Sequence, residues 1–254
     1  MICIVLAAGY ATRLYPLTEN FPKPLLKVGE KSILDRLLED LDKTDITEFV
    51  VVSNHKFISH FKEWKKNLPY ETKITILDDG SVDNENRLGA ARDIQFAMDY
   101  VNEKYAQTEV CDKALDGILV IAGDNVLDFS LSGFVAFARE KGTSCVMCHE
   151  EPELKKQQKT AIITLDESDA ITSYEEKPVE PKGNLAVPPF YYYKKEDIMR
   201  IEEALSDGCS ADAPGSFAAW LSRHTTMHAW KMSGKRYDIG DMASYKAAQE
   251  MFMN

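Results

Sequence analysis

Small residues crowd the segment Leu6-Ala7-Ala8-Gly9-Tyr10-Ala11-Thr12-Arg13, which follows an apolar run and continues through Pro16 and Thr18 to Phe21-Pro22-Lys23-Pro24-Leu25. Small side chains let consecutive backbone N–H groups approach a ligand and form a concavity for anions. Arg13 and Lys23 add two cations to the same stretch. An arginine suits a bidentate grip on phosphate oxygens, and a lysine acts as a movable point charge. The segment matches neither G-x-x-x-x-G-K-[ST] nor G-x-G-x-x-G, which argues against a P-loop and against a dinucleotide fingerprint.

Carboxylates stand at two other places. Gly123-Asp124-Asn125 ends the apolar run Gly117–Ala122, and Tyr237-Asp238-Ile239-Gly240-Asp241 comes late in the chain. A carboxylate at the carboxyl end of a buried strand faces the ligand crevice of an α/β sheet. Phosphate chemistry commonly uses such groups to hold Mg²⁺, which keeps several of its waters. Taken singly, an aspartate beside glycine is more often a turn residue, and Asp241 reads as the cap of a final helix. Glu175-Glu176-Lys177-Pro178 closes another strand and, by itself, reads as a charged end facing water.

Short β-rich runs alternating with amphipathic stretches position these residues, the pattern of βαβ units. Strands are expected at Ile2–Leu6, Phe49–Val52, Ile74–Leu77 and Gly117–Ala122. Between them, helices are expected from a Ser32 cap to Leu41, over Lys56–Asn67 and over Ala90–Val101. The later half reads as strands at Ser144–Cys148, Thr160–Leu165, Ile171–Tyr174, Phe190–Tyr193 and Met227–Met232. Its helices are expected at Lys194–Leu205, Ser216–Arg223 and Asp241–Met251, with Pro178–Pro189 as loop. No linker or repeat interrupts this order, so one domain over residues 1–254 is expected.

The first segment resembles the signature of the sugar-phosphate nucleotidylyltransferases, the family of glucose-1-phosphate thymidylyltransferase: roughly L-A-[AG]-G-x-G-T-R-L-x-P-x-T followed by P-K-P. At this length the short form, without a C-terminal β-helix domain, is the one resembled. The resemblance implies a three-layer α/β fold, Rossmann-like, with a mainly parallel, mixed sheet. It also implies a nucleotide site at Leu6, Ala7, Ala8, Gly9, Tyr10, Ala11, Thr12, Arg13 and Lys23. Asp124 and Asp238 then match the family's metal-binding aspartates for Mg²⁺. Glu176 and Lys177 match an E-K-P motif that grips acceptor hydroxyls and phosphate, with Asn125 and Tyr191 beside them. Asn84, Asn86 and Gly89 occupy the place of the base-reading loop, where an amide suits the paired edge of a pyrimidine. The implied activity joins a nucleoside monophosphate from an NTP, a pyrimidine one favoured, to a sugar 1-phosphate. Arg13, Lys23, Asp124 and Lys177 carry that chemistry.

Two departures stand out. Ala11 replaces a glycine, which the loop tolerates only if φ there is negative or mildly strained. Pro189 replaces another glycine and removes an N–H before the aromatic run Phe190-Tyr191-Tyr192-Tyr193. These departures leave room for other acceptors. A cytidylyltransferase for phosphocholine or a phosphonate is one alternative, with the tyrosines as a cage for a quaternary amine. A catalytically silent nucleotide-binding regulator is another.

Bulk properties narrow the classes. A net charge of −11 argues against a nucleic-acid surface. No apolar run approaches the ~20 residues that span a bilayer. Met1–Leu6 reads as a strand and not a signal peptide, so the expected compartment is the cytoplasm, with a homo-oligomer permitted. Cys3, Cys111, Cys145, Cys148 and Cys209 are an odd, scattered set that argues against a disulfide framework. Cys145-Val146-Met147-Cys148 sits in a strand-like run that sends its two thiols to opposite faces. The five histidines lack metal-ligand spacing beside acids.

Overall fold

A computed structural model describes residues 1–106 and 117–252; Cys111 lies outside them. The first strands and helices run β1 (Ile2–Leu6), β2 (Lys27–Val28), β3 (Lys31–Ser32), α1 (Ile33–Leu41), β4 (Glu48–Ser53), α2 (Ile58–Lys66), β5 (Ile74–Asp78) and α3 (Ala90–Tyr105). Then come β6 (Gly117–Ala122), β7 (Asn125–Leu127), α4 (Ser132–Lys141), β8 (Ser144–Glu150), α5 (Leu154–Gln157), β9 (Ala161–Leu165), β10 (Ile171–Glu176), β11 (Leu185–Val187) and β12 (Phe190–Lys194). The chain continues through α6 (Lys195–Ile198), α7 (Ile201–Ser206), α8 (Pro214–Leu221), β13 (Met227–Lys231), β14 (Arg236–Asp238) and α9 (Met242–Phe252). They form two compact units. Unit 1 is Met1–Leu88, Ala122–Ser132 and Gly234–Asn254; unit 2 is Gly89–Ile121 and Gly133–Ser233.

Unit 1 is built on parallel strands. β1 pairs β4, from Ile2↔Glu48 to Leu6↔Val52, and β4 pairs β5, from Phe49↔Ile74 to Ser53↔Asp78. Every residue of β4 is buried, as expected for a parallel strand covered on both faces. Parallel neighbours need crossovers, and α1 and α2 provide them in sequence. α1 starts where Ser32 and Asp35 form a reciprocal cap: Asp35 N–H donates to Ser32 Oγ at 3.0 Å, and Ser32 N–H donates to Asp35 Oδ2 at 3.1 Å. Its buried stripe is Ile33, Leu34, Leu37, Leu38 and Leu41. A two-stranded antiparallel ribbon, β7 with β14, places Asp238 opposite Asn125.

Unit 2 mixes directions. β12 pairs antiparallel with β6 and with β8, while β8 and β13 run parallel. β11 lies between β8 and β9, and β10 pairs β9. The expected loop at Pro178–Pro189 therefore contains a strand. Pairing on both sides of β11 imposes an extended backbone that its short, proline-flanked sequence does not announce. Lys194–Leu205, expected as one helix, is two short ones, broken where Arg200 N–H turns back to Asp197 O. α4, unexpected from sequence, buries Phe134, Val135 and Ala138. No helix among the described residues is long and apolar enough to cross a membrane.

Candidate functional site

The loop after β1 holds a row of unpaired backbone donors. Among the described residues, no N–H of residues 8–12 donates to a protein acceptor. Several of the segment's carbonyls are engaged instead. Leu6 O accepts from Gly123 N–H at 3.0 Å, and Ala8 O accepts from Asn54 Nδ2 at 2.9 Å. Ala11 O accepts from Leu14 N–H at 2.9 Å and from Thr18 Oγ1 at 2.8 Å. Asn54 and Thr18 are both fully buried, and Asn54 Oδ1 also accepts from Phe57 N–H at 3.0 Å. Ala8 and Tyr10 are buried, Ala11 is half-buried, and Gly9 and Thr12 are exposed, so the loop's unmet donors run from the interior to the surface. Such donors are costly without a partner, and an anion supplies one.

Ala11 takes φ 47° and ψ 42°, the left-handed region. The sequence allowed the loop for negative or mildly strained φ; the strained case is the one observed. A non-glycine residue there costs about 1–2 kcal/mol, against which the two bonds to Ala11 O hold the turn. Tyr10 turns its ring inward against Phe57 and brings its Oη to 3.4 Å from Ser81 Oγ.

Three of the sequence segments singled out above share one apolar cluster. Leu14, Val126 and Ile239, the neighbours of Arg13, Asn125 and Asp238, are buried together with Leu26, Val28, Ile33 and Ala248. Each such side chain contributes about 1.5–3 kcal/mol on burial, so the core that stabilises unit 1 also gathers its charged residues. Lys23 begins a 3₁₀ turn between Pro22 and Pro24, and its Nζ donates to Asp124 Oδ2 at 2.7 Å. Gly123 permits this approach: a Cβ there would lie 3.2 Å from Val5 Cγ1 and 3.4 Å from Pro24 Cβ. Asn125 Nδ2 donates to Asp124 Oδ1 at 2.6 Å. Arg236 Nη1 donates to Asn125 Oδ1 at 2.6 Å and lies 3.4 Å from Asp238 Oδ2. Arg13 is exposed and close enough to Asp241 to help hold its carboxyl below the ordinary range, after the larger effect of Ser244. Asp241 caps α9 by accepting from Ser244 N–H at 2.8 Å.

The donor chemistry fits a divalent ion. Asp124 and Asp238 offer carboxylate oxygens, with side chains 36% and 54% exposed. No group of three or more His, Cys, Asp or Glu that could hold a metal occurs among the described residues. Two carboxylates, with the remaining positions left to water and phosphate oxygens, are what Mg²⁺ accepts.

Of the residues matched to an acceptor, Glu176, Lys177 and Tyr191 lie in unit 2, while Asn125 is buried in unit 1. Glu176 is half-buried, and burial pushes its carboxyl above the ordinary value, against the opposing pull of Lys177. A Cβ on Gly215 would stand 2.5 Å from Glu176 Oε2, 3.2 Å from Tyr174 Oη and 3.4 Å from Tyr191 Oη. A carboxylate and two hydroxyls therefore converge on one bare glycine near the start of α8. Lys177 is exposed at φ 49°, its N–H bonded to Thr160 O at 3.0 Å. The Tyr191 and Tyr193 rings stack on each other with centroids 5.8 Å apart, and both are buried. They pack as core, which removes the support for a cation cage.

The amides of the base-reading stretch are occupied locally. Asn86 Nδ2 donates to both oxygens of Asp83 at 2.9 and 2.8 Å, and Asn84 Oδ1 accepts from Arg87 Nη1 at 3.0 Å. Both asparagines are exposed, and the contact with the β1 loop is made by Ser81. Gly89, at φ 91°, is a steric necessity: a Cβ would lie 2.5 Å from Ala211 O. Cys145 and Cys148 are buried free thiols, pushed by desolvation to about 11 and about 12, the mark of inert cysteines. Sequence reasoning missed Asn54, Tyr174, Gly215 and Arg236. Only the Pro214-Gly215 helix start and the cation two residues before Asp238 left a trace to find them by.

The chain is 28% identical over 205 residues to the bifunctional protein GlmU of Methanocaldococcus jannaschii, covering 80% of this chain and 42% of that protein. For the GlmU of Methanococcus aeolicus the figures are 27%, 94% and 51%, so the chain spans about half the length of these curated relatives. It is 27% identical to the UTP–glucose-1-phosphate uridylyltransferase AglF of Haloferax volcanii, covering 94% of this chain and 91% of that one. A Bacillus anthracis crystal structure, named provisionally as a glucose-1-phosphate thymidylyltransferase, superposes with a TM-score of 0.80 at 21% identity, over 100% of this chain and 96% of that one. Apo UDP-glucose pyrophosphorylase does so with a TM-score of 0.80 at 17% identity, over 99% and 97%. These superpositions establish the three-layer α/β fold. The nucleotidyl transferase family model matches residues 2–254, through both units, and the chain belongs to that family.

Proposed function

We propose that the chain is a Mg²⁺-dependent nucleotidylyltransferase that couples an NTP to a sugar 1-phosphate, giving an NDP-sugar and pyrophosphate. Units 1 and 2 act in it as one nucleotidyltransferase domain. The observation that carries this reading is the loop of residues 8–12, whose N–H groups have no protein acceptor among the described residues, in the same unit as the Lys23–Asp124 pair. The names of two relatives support the acceptor class: AglF, matched over 91% of its length, is a UTP–glucose-1-phosphate uridylyltransferase, and a Fervidobacterium nodosum relative, matched over 59% of its length, is a glucose-1-phosphate adenylyltransferase.

The chemistry is a single in-line displacement. An acceptor phosphate oxygen bonds to the α-phosphorus as the bond to the bridging oxygen of the β-phosphate breaks, and pyrophosphate leaves with that electron pair. The attacking oxygen is already anionic, so no nucleophilic side chain is needed, and catalysis rests on positioning and charge. The N–H groups of residues 8–12 hold the polyphosphate, and Arg13 steadies the departing pyrophosphate. Lys23 neutralises charge around the triphosphate, and Lys177 meets the acceptor phosphate. Asp124 and Asp238 would hold Mg²⁺, which supplies Lewis-acid charge neutralisation at the phosphate oxygens. Glu176, with Tyr191 beside it, accepts from acceptor hydroxyls. Asn84 or Asn86 would read a pyrimidine once released from Asp83 or Arg87.

The test is a matrix of four NTPs against sugar 1-phosphates and phosphocholine, followed by pyrophosphate release. Turnover with a sugar 1-phosphate is expected, fastest with UTP, dTTP or CTP. Turnover confined to phosphocholine, or nucleotide binding with no turnover for any pair, would overturn the reading.

A further inference from the structure

Two side chains that the chemistry above does not use hold the peptide units of the loop after β1. Asn54 and Thr18 are fully buried, and both lie in unit 1 with the loop. Burying an amide or a hydroxyl is costly unless its hydrogen bonds are made. Asn54 makes them to two backbone groups. Its Oδ1 accepts from Phe57 N–H at 3.0 Å, which leaves Nδ2 to donate to Ala8 O at 2.9 Å. The parallel register that ends at Leu6↔Val52, carried on by two residues, sets Ala8 beside Asn54. Thr18 Oγ1 donates to Ala11 O at 2.8 Å, and Leu14 N–H donates to the same oxygen at 2.9 Å.

A trans peptide is planar, so the C=O of one residue and the N–H of the next point in opposite directions. Ala8 O, directed at buried Asn54, therefore turns Gly9 N–H away from it. Ala11 O, held by Thr18 and Leu14, turns Thr12 N–H away from them. Neither N–H has a protein acceptor among the described residues. The two peptides differ in what else restrains them. Ala11 O has two donors, and Ala11 itself sits in the narrow left-handed region at φ 47°. The Ala8–Gly9 peptide ends on a glycine with nothing within 4 Å of where a Cβ would stand. Glycine takes either sign of φ readily, so it offers little resistance to a flip. Asn54 Nδ2 makes the one protein bond to Ala8 O among the described residues.

We propose that Asn54 and Thr18 are positioning residues for the polyphosphate: Asn54 aims Gly9 N–H and Thr18 aims Thr12 N–H, so both donors are set before the anion arrives. The proposal rests on the reading of residues 8–12 as the polyphosphate site. Donors fixed in advance relieve the ligand of ordering the loop, which is where preorganisation gains affinity. Side chains that merely filled the interior would affect the two amides alike.

The intact chain, isotope-labelled at its glycine and threonine nitrogens, is titrated with inorganic tripolyphosphate in the absence of metal, and its amide resonances are followed by NMR. Wild type, Asn54→Leu and Thr18→Val are compared. In the wild type the Gly9 and Thr12 amide protons are expected to move downfield as the anion binds. Asn54→Leu should bind tripolyphosphate roughly tenfold more weakly, the scale of one hydrogen bond to a charged group. It should lose the Gly9 movement and keep that of Thr12. Thr18→Val should do the reverse, with a smaller loss of affinity because Leu14 N–H still holds Ala11 O; it carries the test if the leucine variant does not fold. Wild-type affinity in Asn54→Leu, or a variant in which the Gly9 and Thr12 responses persist or fade together, overturns the proposal. Wild-type protein in which neither amide responds overturns the polyphosphate reading of the loop, and the proposal with it.

Discussion

Unit 1 and unit 2 handle polar groups in opposite ways. In unit 1 the charges come in pairs and chains, anchored from below by Leu14, Val126 and Ile239. The loop after β1 has carbonyls bonded at Ala8 and Ala11 and its N–H groups unspent. In unit 2 the half-buried Glu176 has no ion pair among the described residues; it shares the space at Gly215 with the Tyr174 and Tyr191 hydroxyls, and its ionised form is disfavoured by desolvation. The first arrangement suits a ligand of high charge density. The second suits a neutral ligand with hydroxyls to donate. A sugar phosphate coupled to a nucleoside triphosphate asks for both.

The contrast can be broken most directly in unit 1. Asp124→Asn or Arg13→Ala should lower kcat by ~10² or more, the scale of losing a charge-stabilising group in a transition state. Near-wild-type pyrophosphate release by both variants would sink the assignment of charge handling to this unit. A milder effect is expected in unit 2. Gly215→Ala places a methyl against the Glu176 carboxylate and should raise acceptor KM about tenfold, leaving the KM for NTP unchanged. Alanine favours the helix, so thermal stability should hold. A Gly215→Ala enzyme with unaltered acceptor KM would show that the convergence on Glu176 has no functional weight.

The smallest effect concerns pH. Glu176 has its folded-state pKa raised above the unfolded value, so its burial carries no cost when the group is protonated in both states. The cost appears as pH rises through the unfolded value near 4.3 and is complete above the folded one. Glu176→Gln should therefore gain stability relative to wild type as pH rises from about 4 to 7, read by urea denaturation. A gain toward acid pH would reverse the sign of the argument. Wild-type acceptor KM should also worsen in acid, as the carboxylate loses its acceptor character.

Much of unit 1 was legible in the sequence because its signals are local. The Ser32 cap, the apolar face of α1 at Ile33, Leu37, Leu38 and Leu41, and the small residues after β1 each lie within a few positions of what they determine. The roles of Asn54 and Arg236 were not legible, since their partners lie 46 and 111 residues away. Gly215 is one more glycine in sequence, and only the folded chain brings a carboxylate against it. β11 escaped for a related reason: three residues between prolines become a strand through the neighbours on either side. The cysteine pair was legible in the opposite sense, since strand alternation alone predicted that its thiols do not meet.

The β7–β14 ribbon has a consequence for the order of assembly. Arg236 meets Asn125 across 111 residues of chain, and that interval contains most of unit 2. Lys23 can find Asp124 once the earlier segments are in place, but Asp238 arrives only after the long excursion has been threaded and the chain has returned. A loop of that length makes the second carboxylate a late acquisition in folding. A divalent ion held by Asp124 and Asp238, as proposed above, would thus bind only after the chain has returned from that excursion.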